Sequence, residues 1–572
     1  MRIRLLRGLI YVCFIILAMG LFYFQVLRSG YYKGLSLRNT IRIVPIEASR
    51  GSIFDRNKKP IAIDEISFNL VIIPQEVEDI DSTLKLISKV TGEELSELTK
   101  NYKRNYYVPF VPVNILTNLE KEKAFYIEEK LSSIPGALLS TEPRRYYANG
   151  KIGSHIVGYV GRIERSEYKT LRDYGYKIQD LVGKSGIEKY YDAYLKGDDG
   201  GIQVEVNAAS RIMRRLSFKE PAKGKDLTLT IDSGLQSFTD GLMEGRIGSC
   251  ILMDVGTGEI LALVSSPEFN PNVFTRGSSK EKTAILTDKR CSLLNRAASC
   301  KYPPGSIFKI VVASAGLAAG TIKRDTTFDC SGEYRLGGIR FGCWKESGHG
   351  PQNVVEALTH SCNVFFYNLG DLLGAEGIYR YALQFGLDSA TGIDLPGEVK
   401  GLVPNTLWKR FFIKEPWYRG DTINYSIGQG YLLVTPIEML RAVTIVANEG
   451  YSPAPHLVKE IEGRKISYRK RHIAKIPESV LKIIKKGLSD VVNSKTGTGL
   501  YAKHDSVKIA GKTGTAQPGT AGDTHAWFVG YLPADNPKIS FCIFLEHGGQ
   551  GGKDPAHMAR ILTTYLDTNG FL

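Results

Sequence analysis

The chain has 572 residues, of which 43% are hydrophobic and 23% charged, and it carries a formal net charge of +15. That length predicts at least two folded units, and the composition excludes a disordered chain. The basic excess favours an anionic neighbour such as a lipid surface or a polyanionic polymer. With no zinc-finger pattern and no RNP-like aromatic motif, nucleic acid is not the expected partner.

In chain order, MRIRLLR comes first and is followed by GLIYVCFIILAMGLFYFQVL (8–27), so three arginines precede twenty uncharged residues. A run of that length spans a bilayer, and the arginines keep the N-terminus in the cytoplasm with everything after Arg28 outside. A cleaved signal peptide is the alternative, with Ala18-Met19-Gly20 as its site, yet the apolar run continues to Leu27. Residues 1–30 are therefore expected to form a cytoplasmic tail and a single-pass anchor. TIRIVPIEASRGSIFDRNKKPIAIDEISFNLVIIP (40–74) reads as short alternating strands, and 76–135 as helical pieces such as LEKEKAFYIEEKLSSI (119–134). RRYYANGKIGSHIVGYVG and LVGKSGIEKYYDAYLKGDDG place glycines at turns between short elements. LSFKEPAKGKDLTLTI (216–231) has the composition of a boundary, which divides the rest into domains at 31–216 and 217–572.

The second domain holds the residues that suggest chemistry. In YPPGSIFKI (302–310), two prolines and a glycine lead into an apolar helix-forming run. Ser306 is thus expected at a helix N-terminus, with Lys309 one turn on along the same face. A desolvated amine can take the proton of a serine, and free N–H groups at the helix start suit a developing oxyanion. THSCNVFFYNLG (359–370) adds Ser361, a hydroxyl able to relay a proton, and Asn363, an amide able to orient lysine and substrate.

KTGT occurs twice, in SKTGTGL (494–500) and in AGKTGTAQ (510–517). The first follows PESVLKIIKKGLSDVVN (477–493), whose apolar stripe predicts a helix, so it reads as a helix exit and loop. The second follows the alternating Val507 and Ile509 and precedes AWFVGYL and KISFCIFLE, which places Lys512, Thr513, Gly514 and Thr515 on a strand of an antiparallel sheet. Thr513 and Thr515 share a face there, and Gly514 admits a substrate backbone. The second copy is the expected active-site strand, and the likeness of the first is read as coincidence.

A further cluster lies at 329–363, where Cys330, Cys343, His349 and Cys362 are spaced C-x12-C-x5-H-x12-C. Three thiolates and an imidazole suit a closed tetrahedral zinc site, and glycines 337, 338, 348 and 350 would let the loop wrap an ion. A Cys330–Cys343 disulfide, with His349 on the surface, is the alternative for an oxidising compartment. His525 is read as a strand-end or cleft-rim residue, Trp344 and Trp527 as cleft or core aromatics, and RKISYRKRH (464–472) as a solvated hairpin.

In order, S-x-x-K, S-x-N and K-T-G are the signature of class A β-lactamases and penicillin-binding proteins. The chain resembles the class B penicillin-binding proteins, most closely the elongation-type penicillin-binding protein 2 branch. The likeness runs through RGSIFDRN (50–57), the two glycine-punctuated segments above, TIDSGLQ (230–236), DVGTGEILALVSSPEFNPN (254–272), NRA (295–297), GLVP (401–404), NYSIGQGYLLVTP (424–436) and HAWFVGY (525–531). It implies an α+β fold, in which a serine β-lactamase/transpeptidase-like domain of antiparallel sheet and flanking helices follows an elongated N-terminal pedestal and one transmembrane helix. The implied activity is D,D-transpeptidation of peptidoglycan stem peptides in cell-wall elongation, with β-lactams as inhibitors. A division-type enzyme, a β-lactam sensor and a hydrolase of the same fold are the alternatives.

By the same resemblance, Ser306 attacks the penultimate D-Ala carbonyl, Lys309 is the base, and Ser361 with Asn363 completes the proton path. Lys512, Thr513 and Thr515 hold the terminal carboxylate, and the backbone N–H groups of Ser306 and Thr515 form the oxyanion hole. The cysteine–histidine cluster is similar to a structural zinc site of the penicillin-binding protein 2 branch, and no organic cofactor is implied. A SEDS-type glycosyltransferase is the implied membrane partner. Three positions depart from the family pattern: Ile307 stands for a usual threonine, Ala148 for a proline and Lys58 for a glycine.

Overall fold

A computed structural model describes residues 2–33, 41–106, 112–131, 134–177, 180–206, 212–468, 471–518 and 522–572. Thr40, part of the basic run at 464–472 and part of the turn QPGTAGDTH fall outside these residues. The expected anchor is helical, with an α-helix over Arg2–Phe22 continuing as a π-helix over Tyr23–Leu27. Ile3–Leu27 is long and apolar enough to cross a membrane.

The chain divides into two compact units, each assembled from separate stretches of sequence. One comprises Met1–Gly51, Asp64–Arg145 and Lys196–Lys225. Strands Ile41–Ile46, Gly200–Val206 and Ile212–Lys219 form an antiparallel sheet in it. A second core gathers Leu70 and Ile72 from one strand, Val113 and Ile115 from its antiparallel neighbour, and Leu84, Ile87, Leu98 and Ile127 from three helices. The helix Ile80–Thr91 begins where the Asp79 side chain accepts from the amides of Asp81 and Ser82, and it ends at Gly92, whose φ of 75° suits a residue without Cβ. Arg145 is buried, with Nη1 3.1 Å from Asp64 Oδ1 and 2.9 Å from the Gly51 carbonyl. Asp64 Oδ2 also accepts from the Arg50 amide at 2.7 Å, so RGSIFDRN and RRYY meet through one buried ion pair.

The other unit comprises Ser52–Ile63, Tyr146–Leu195 and Asp226–Leu572. Its centre is a five-stranded antiparallel sheet built from β1 (Gly248–Asp254), β2 (Ile260–Ser266), β3 (Ala510–Ala516), β4 (His525–Leu532) and β5 (Ile539–Leu545), in the order β2-β1-β5-β4-β3. Both faces are covered, and the two-residue period of the strands sorts the side chains. Trp527, Val529 and Tyr531 of β4 join one apolar cluster, while Ala526 and Phe528 join the other. The first cluster includes Ile310, Val311 and Val312 of α1 (Lys309–Ala318), Phe365 and Phe366 of α2 (Asn363–Gln384) and much of α3 (Pro436–Ala447). The second packs against α5 (Asp554–Thr568) and the end of α4 (Glu478–Asn493). Position 58 has φ 63°, a left-handed conformation that explains why a glycine is expected there; Lys58 reaches Glu460 at 2.7 Å from it.

Candidate active site

The two prolines and glycine ahead of Ser306 build a fixed turn. Tyr302 exchanges backbone hydrogen bonds with Val434, and the Gly305 amide donates to the Gly428 carbonyl at 2.9 Å. Gly305 has φ +56°, and a Cβ there would stand 2.5 Å from the Thr515 carbonyl oxygen, so the turn lies directly against β3. A single 3-10 turn over Gly305–Phe308 then leads into α1. Ser306 is half-buried, while Ile307 and Lys309 are fully buried. Ile307 packs toward Gly514, where an added Cβ would meet its Cγ2 at 2.9 Å; the departure from threonine thus fills space between the nucleophile turn and β3.

Three distant segments meet at the Lys309 side chain. Its Nζ donates to Asn363 Oδ1 at 2.7 Å and to the Ser361 carbonyl at 2.9 Å, and lies 3.4 Å from Ser361 Oγ. Lys512 Nζ donates to the same Ser361 Oγ at 2.9 Å and to the Thr513 carbonyl at 3.0 Å. One hydroxyl therefore lies between two buried amines. Burial lowers Lys309 from the ordinary lysine range to about 8. Burial, then the neighbouring Lys309 charge, pushes Lys512 well below that range too. Ser361 itself holds φ 51°, a left-handed conformation uncommon for serine. Among the described residues the Ser306 hydroxyl has no hydrogen-bond partner.

The second KTGT lies on β3 as expected, with Lys512 opposite Val529, Thr513 opposite Phe528, Gly514 opposite Trp527 and Thr515 opposite Ala526. Thr515 is exposed and its Oγ1 accepts from the Gly551 amide at 3.4 Å. Thr513 is 6% exposed, and its Oγ1 lies 2.8 Å from Thr498 Oγ1 of the first KTGT. The expectation of coincidence misses this contact: the first copy is a loop after α4, as read, but its last threonine touches the second copy. Thr496 of the same loop is 3.0 Å from His360 Nε2. The repeat itself was the available signal, and the local sequence does not show that the two copies meet.

Cys330, Cys343, His349 and Cys362 converge, their ligand atoms all lying within 4.8 Å of one another. Both Cys330 Sγ and Cys343 Sγ are 3.6 Å from His349 Nδ1. A tetrahedral zinc with ordinary Zn–S and Zn–N bonds separates sulfur from nitrogen by about 3.6 Å, so these residues fit the ion. All four glycines named for the loop have positive φ, between 54° and 86°. Cys330 and Cys343 are both free thiols, so the disulfide alternative is not formed. Hydrogen bonding from Cys362 lowers the Cys343 thiol from its ordinary range. Asn363 Nδ2 donates to the Gly342 carbonyl at 3.2 Å and Trp344 Nε1 to the His360 carbonyl at 3.0 Å, so this loop abuts the catalytic segment on two sides.

His525 opens β4, nearly buried, and its Nδ1 accepts from the His547 amide at 3.2 Å, a structural place in keeping with its reading. Trp527 is a core residue whose Nε1 donates to the Pro303 carbonyl at 3.1 Å and so steadies the nucleophile turn. Trp344 is exposed.

The sequence matches the family described as "Penicillin binding protein transpeptidase domain" over residues 248–563 and "Penicillin-binding Protein dimerisation domain" over 45–229. It is 35% identical to the peptidoglycan D,D-transpeptidase MrdA of Acinetobacter baumannii, over 99% of this chain and 87% of that one. Among solved structures, it is similar to a complex between penicillin-binding protein PBP2 and MreC from Helicobacter pylori, with TM-score 0.85 and 29% identity over 93% of this chain and all of that one. It is also similar, with TM-score 0.75 and 30% identity over 98% of both chains, to a chain in a structure concerning the coordination of polymerization and crosslinking by a peptidoglycan synthase complex.

Proposed function

The chain belongs to the penicillin-binding proteins that join a dimerisation domain to a transpeptidase domain, and from that premise we propose that Ser306 is the acylated nucleophile of a peptidoglycan D,D-transpeptidase acting in cell-wall elongation. The observation that carries the assignment of roles is the Ser361 hydroxyl held between Lys309 and Lys512. Neutral Lys309 takes the Ser306 proton as Oγ attacks the carbonyl carbon of the penultimate D-Ala. The oxyanion is held by the backbone N–H groups of Ser306 and Thr515. As the C–N bond breaks, Lys512 gives a proton through Ser361 Oγ to the leaving amine, and Lys309 ends the step protonated. An amine of a neighbouring stem peptide then attacks the acyl-enzyme and closes the cross-link, its proton passing through Ser361 to Lys512 while Lys309 returns its proton to Ser306 as the ester bond breaks. Asn363 orients Lys309, while Thr513 and Thr515 hold the terminal carboxylate, with Gly514 leaving room for the backbone. A β-lactam enters as a mimic of the terminal dipeptide and stops at the acyl stage.

Zinc is assigned to Cys330, Cys343, His349 and Cys362 as a structural ion. Bound, it supplies cross-bracing, with all four donors coming from the protein. The chain's own contribution is the pair of contacts from this loop to Asn363 and His360, which hold the Ser361 turn in place. The pedestal is drawn from within residues 31–216 and the transpeptidase domain from 217–572, with Ser52–Ile63 and Tyr146–Leu195 packing in the same unit as Asp226–Leu572, so the boundary expected from the sequence is corrected there. The helix Ile3–Leu27, with arginines clustered at its N-terminal end, anchors the protein in the cytoplasmic membrane with the catalytic domain outside. The partner is a SEDS-type glycosyltransferase, a reading supported by the likeness to the synthase complex.

The test is covalent labelling of the full-length protein by a fluorescent penicillin, with Ser306→Ala, Lys512→Ala and Lys495→Ala beside the wild type. Labelling lost in the first two and kept in the third supports the assignment. Labelling that survives Ser306→Ala sinks it.

A further inference from the structure

We infer that Thr498, in the first KTGT, is a positioning residue that sets specificity for the terminal carboxylate of the substrate: its hydroxyl donates to Thr513 and thereby aims the Thr513 proton at that anion. The inference rests on the reading of Thr513 and Thr515 as the carboxylate site.

A threonine hydroxyl has one proton and two acceptor lone pairs. At 2.8 Å, Thr498 Oγ1 and Thr513 Oγ1 share one hydrogen bond, and either could donate it. If Thr513 donated, its only proton would face Thr498, and it would present lone pairs to an arriving carboxylate. If Thr498 donates, the Thr513 proton remains for the carboxylate, and the chain of two hydroxyls polarises toward the charge. The anion selects the second arrangement. Thr513, at 6% exposure, has little access to solvent that could reorient it.

The loop around Thr498 is held firmly enough to keep this arrangement. A Cβ at Gly497 would stand 2.2 Å from the Val491 carbonyl oxygen, so only glycine lets the chain turn this tightly off α4. The Thr498 amide donates to the Thr359 carbonyl, two residues before Ser361, at 3.3 Å. Gln352 Oε1, which can only accept, lies 2.6 Å from His360 Nδ1, so that nitrogen carries the proton and Nε2 accepts from the Thr496 hydroxyl at 3.0 Å. On the other side Gly552 closes over Thr498, where a Cβ would meet its carbonyl oxygen at 2.5 Å. Thr496, Gly497 and Thr498 thus each have a distinct task, whereas Lys495 points into solvent. The shared letters of the two copies reflect two threonine-bearing segments that meet at one anion site.

The test compares acylation of the full-length protein by benzylpenicillin and by its methyl ester, which lacks the anionic oxygen. Thr498→Val keeps the shape and removes the hydroxyl, and Thr498→Ser restores it. Loss of one hydrogen bond serving a charged group should slow benzylpenicillin acylation by Thr498→Val on the order of tenfold. The methyl ester should react at the wild-type rate, and Thr498→Ser should recover most of the loss. Equal slowing of both compounds, or no slowing of either, overturns the inference. Thr513→Val is measured alongside. If it discriminates between acid and ester while Thr498→Val does not, only the role of Thr498 falls. If Thr513→Val does not discriminate, the carboxylate site itself has been misassigned.

Discussion

Replacing Gly305 by alanine tests whether the nucleophile turn and β3 must lie in their observed register. The added methyl would stand 2.5 Å from the Thr515 carbonyl oxygen and 3.0 Å from its carbon, on a backbone with φ +56°. The left-handed conformation alone costs about 1–2 kcal/mol for a residue with Cβ. Relieving the contact to an ordinary van der Waals separation moves the turn and the strand apart by roughly 1 Å. These two segments carry the Ser306 and Thr515 amides proposed as the oxyanion hole, whose donors must lie about 2.7–3.1 Å from the oxyanion. A displacement of this size is expected to slow acylation about 100-fold. The second-order rate constant with a fluorescent penicillin measures this, and a thermal melt on the same sample shows that the protein is still folded. A folded Gly305→Ala protein that acylates within about threefold of wild type would refute the argument, because an oxyanion hole between these segments could not survive the shift.

Three further outcomes follow from the same geometry. Burial holds Lys309 at about 8, below its ordinary value, so the neutral form that acts as base grows as pH rises. Acylation should therefore climb about tenfold per pH unit below that value and level off above it; a flat profile from about pH 6 to 9 would contradict Lys309 as the base. Protein purified without chelator should carry about one zinc per chain by elemental analysis, and Cys343→Ser should lose the metal and melt at lower temperature. Metal-free protein that melts and acylates like the wild type would remove the bracing role. Ser361→Ala should slow turnover of a peptide substrate about 10²- to 10⁴-fold, but much less that of a thioester analogue, whose leaving group needs no proton. Equal losses on both would place Ser361 outside the leaving-group path.

What could be read in the sequence was what short stretches encode. The turn before Ser306, the stripe of Val480, Ile484, Leu488 and Val491 in α4, and the alternation leading into Lys512 each express a local rule, and each element forms. The spacing of three cysteines and a histidine was also readable, because their side chains share one chemistry. Other features depend on partners far away in the chain. That Ser52–Ile63 and Tyr146–Leu195 fold with Asp226–Leu572 rests on pairings such as Ile53 with Leu227, which composition does not report. The left-handed backbone of Ser361 has no local signature, since serine is indifferent to most turns until tertiary contacts fix it. Thr498 has no local signature for the same reason: a helix exit explains a glycine and two threonines well enough until sheet register brings Thr513 beside them.

The strained Ser361 turn gains its meaning from the two lysines. Two ammonium groups that both reach one hydroxyl, each fully buried, repel each other and are poorly solvated, so at most one of them is comfortably charged. Lys512 is the more strongly lowered of the two, so in the free site the proton rests on Lys309; on the proposed mechanism an arriving carboxylate draws it to Lys512 and leaves Lys309 neutral for Ser306. On that mechanism, once Lys309 accepts the Ser306 proton, the new charge disfavours the proton on Lys512 and drives it through Ser361 toward the leaving amine. One proton enters and one leaves, and the site reaches the acyl-enzyme with its total charge unchanged. The Ser361 φ of 51° accompanies a hydroxyl within reach of both amines, and the neighbouring Cys362, part of the cysteine–histidine cluster, ties that turn to the surrounding structure.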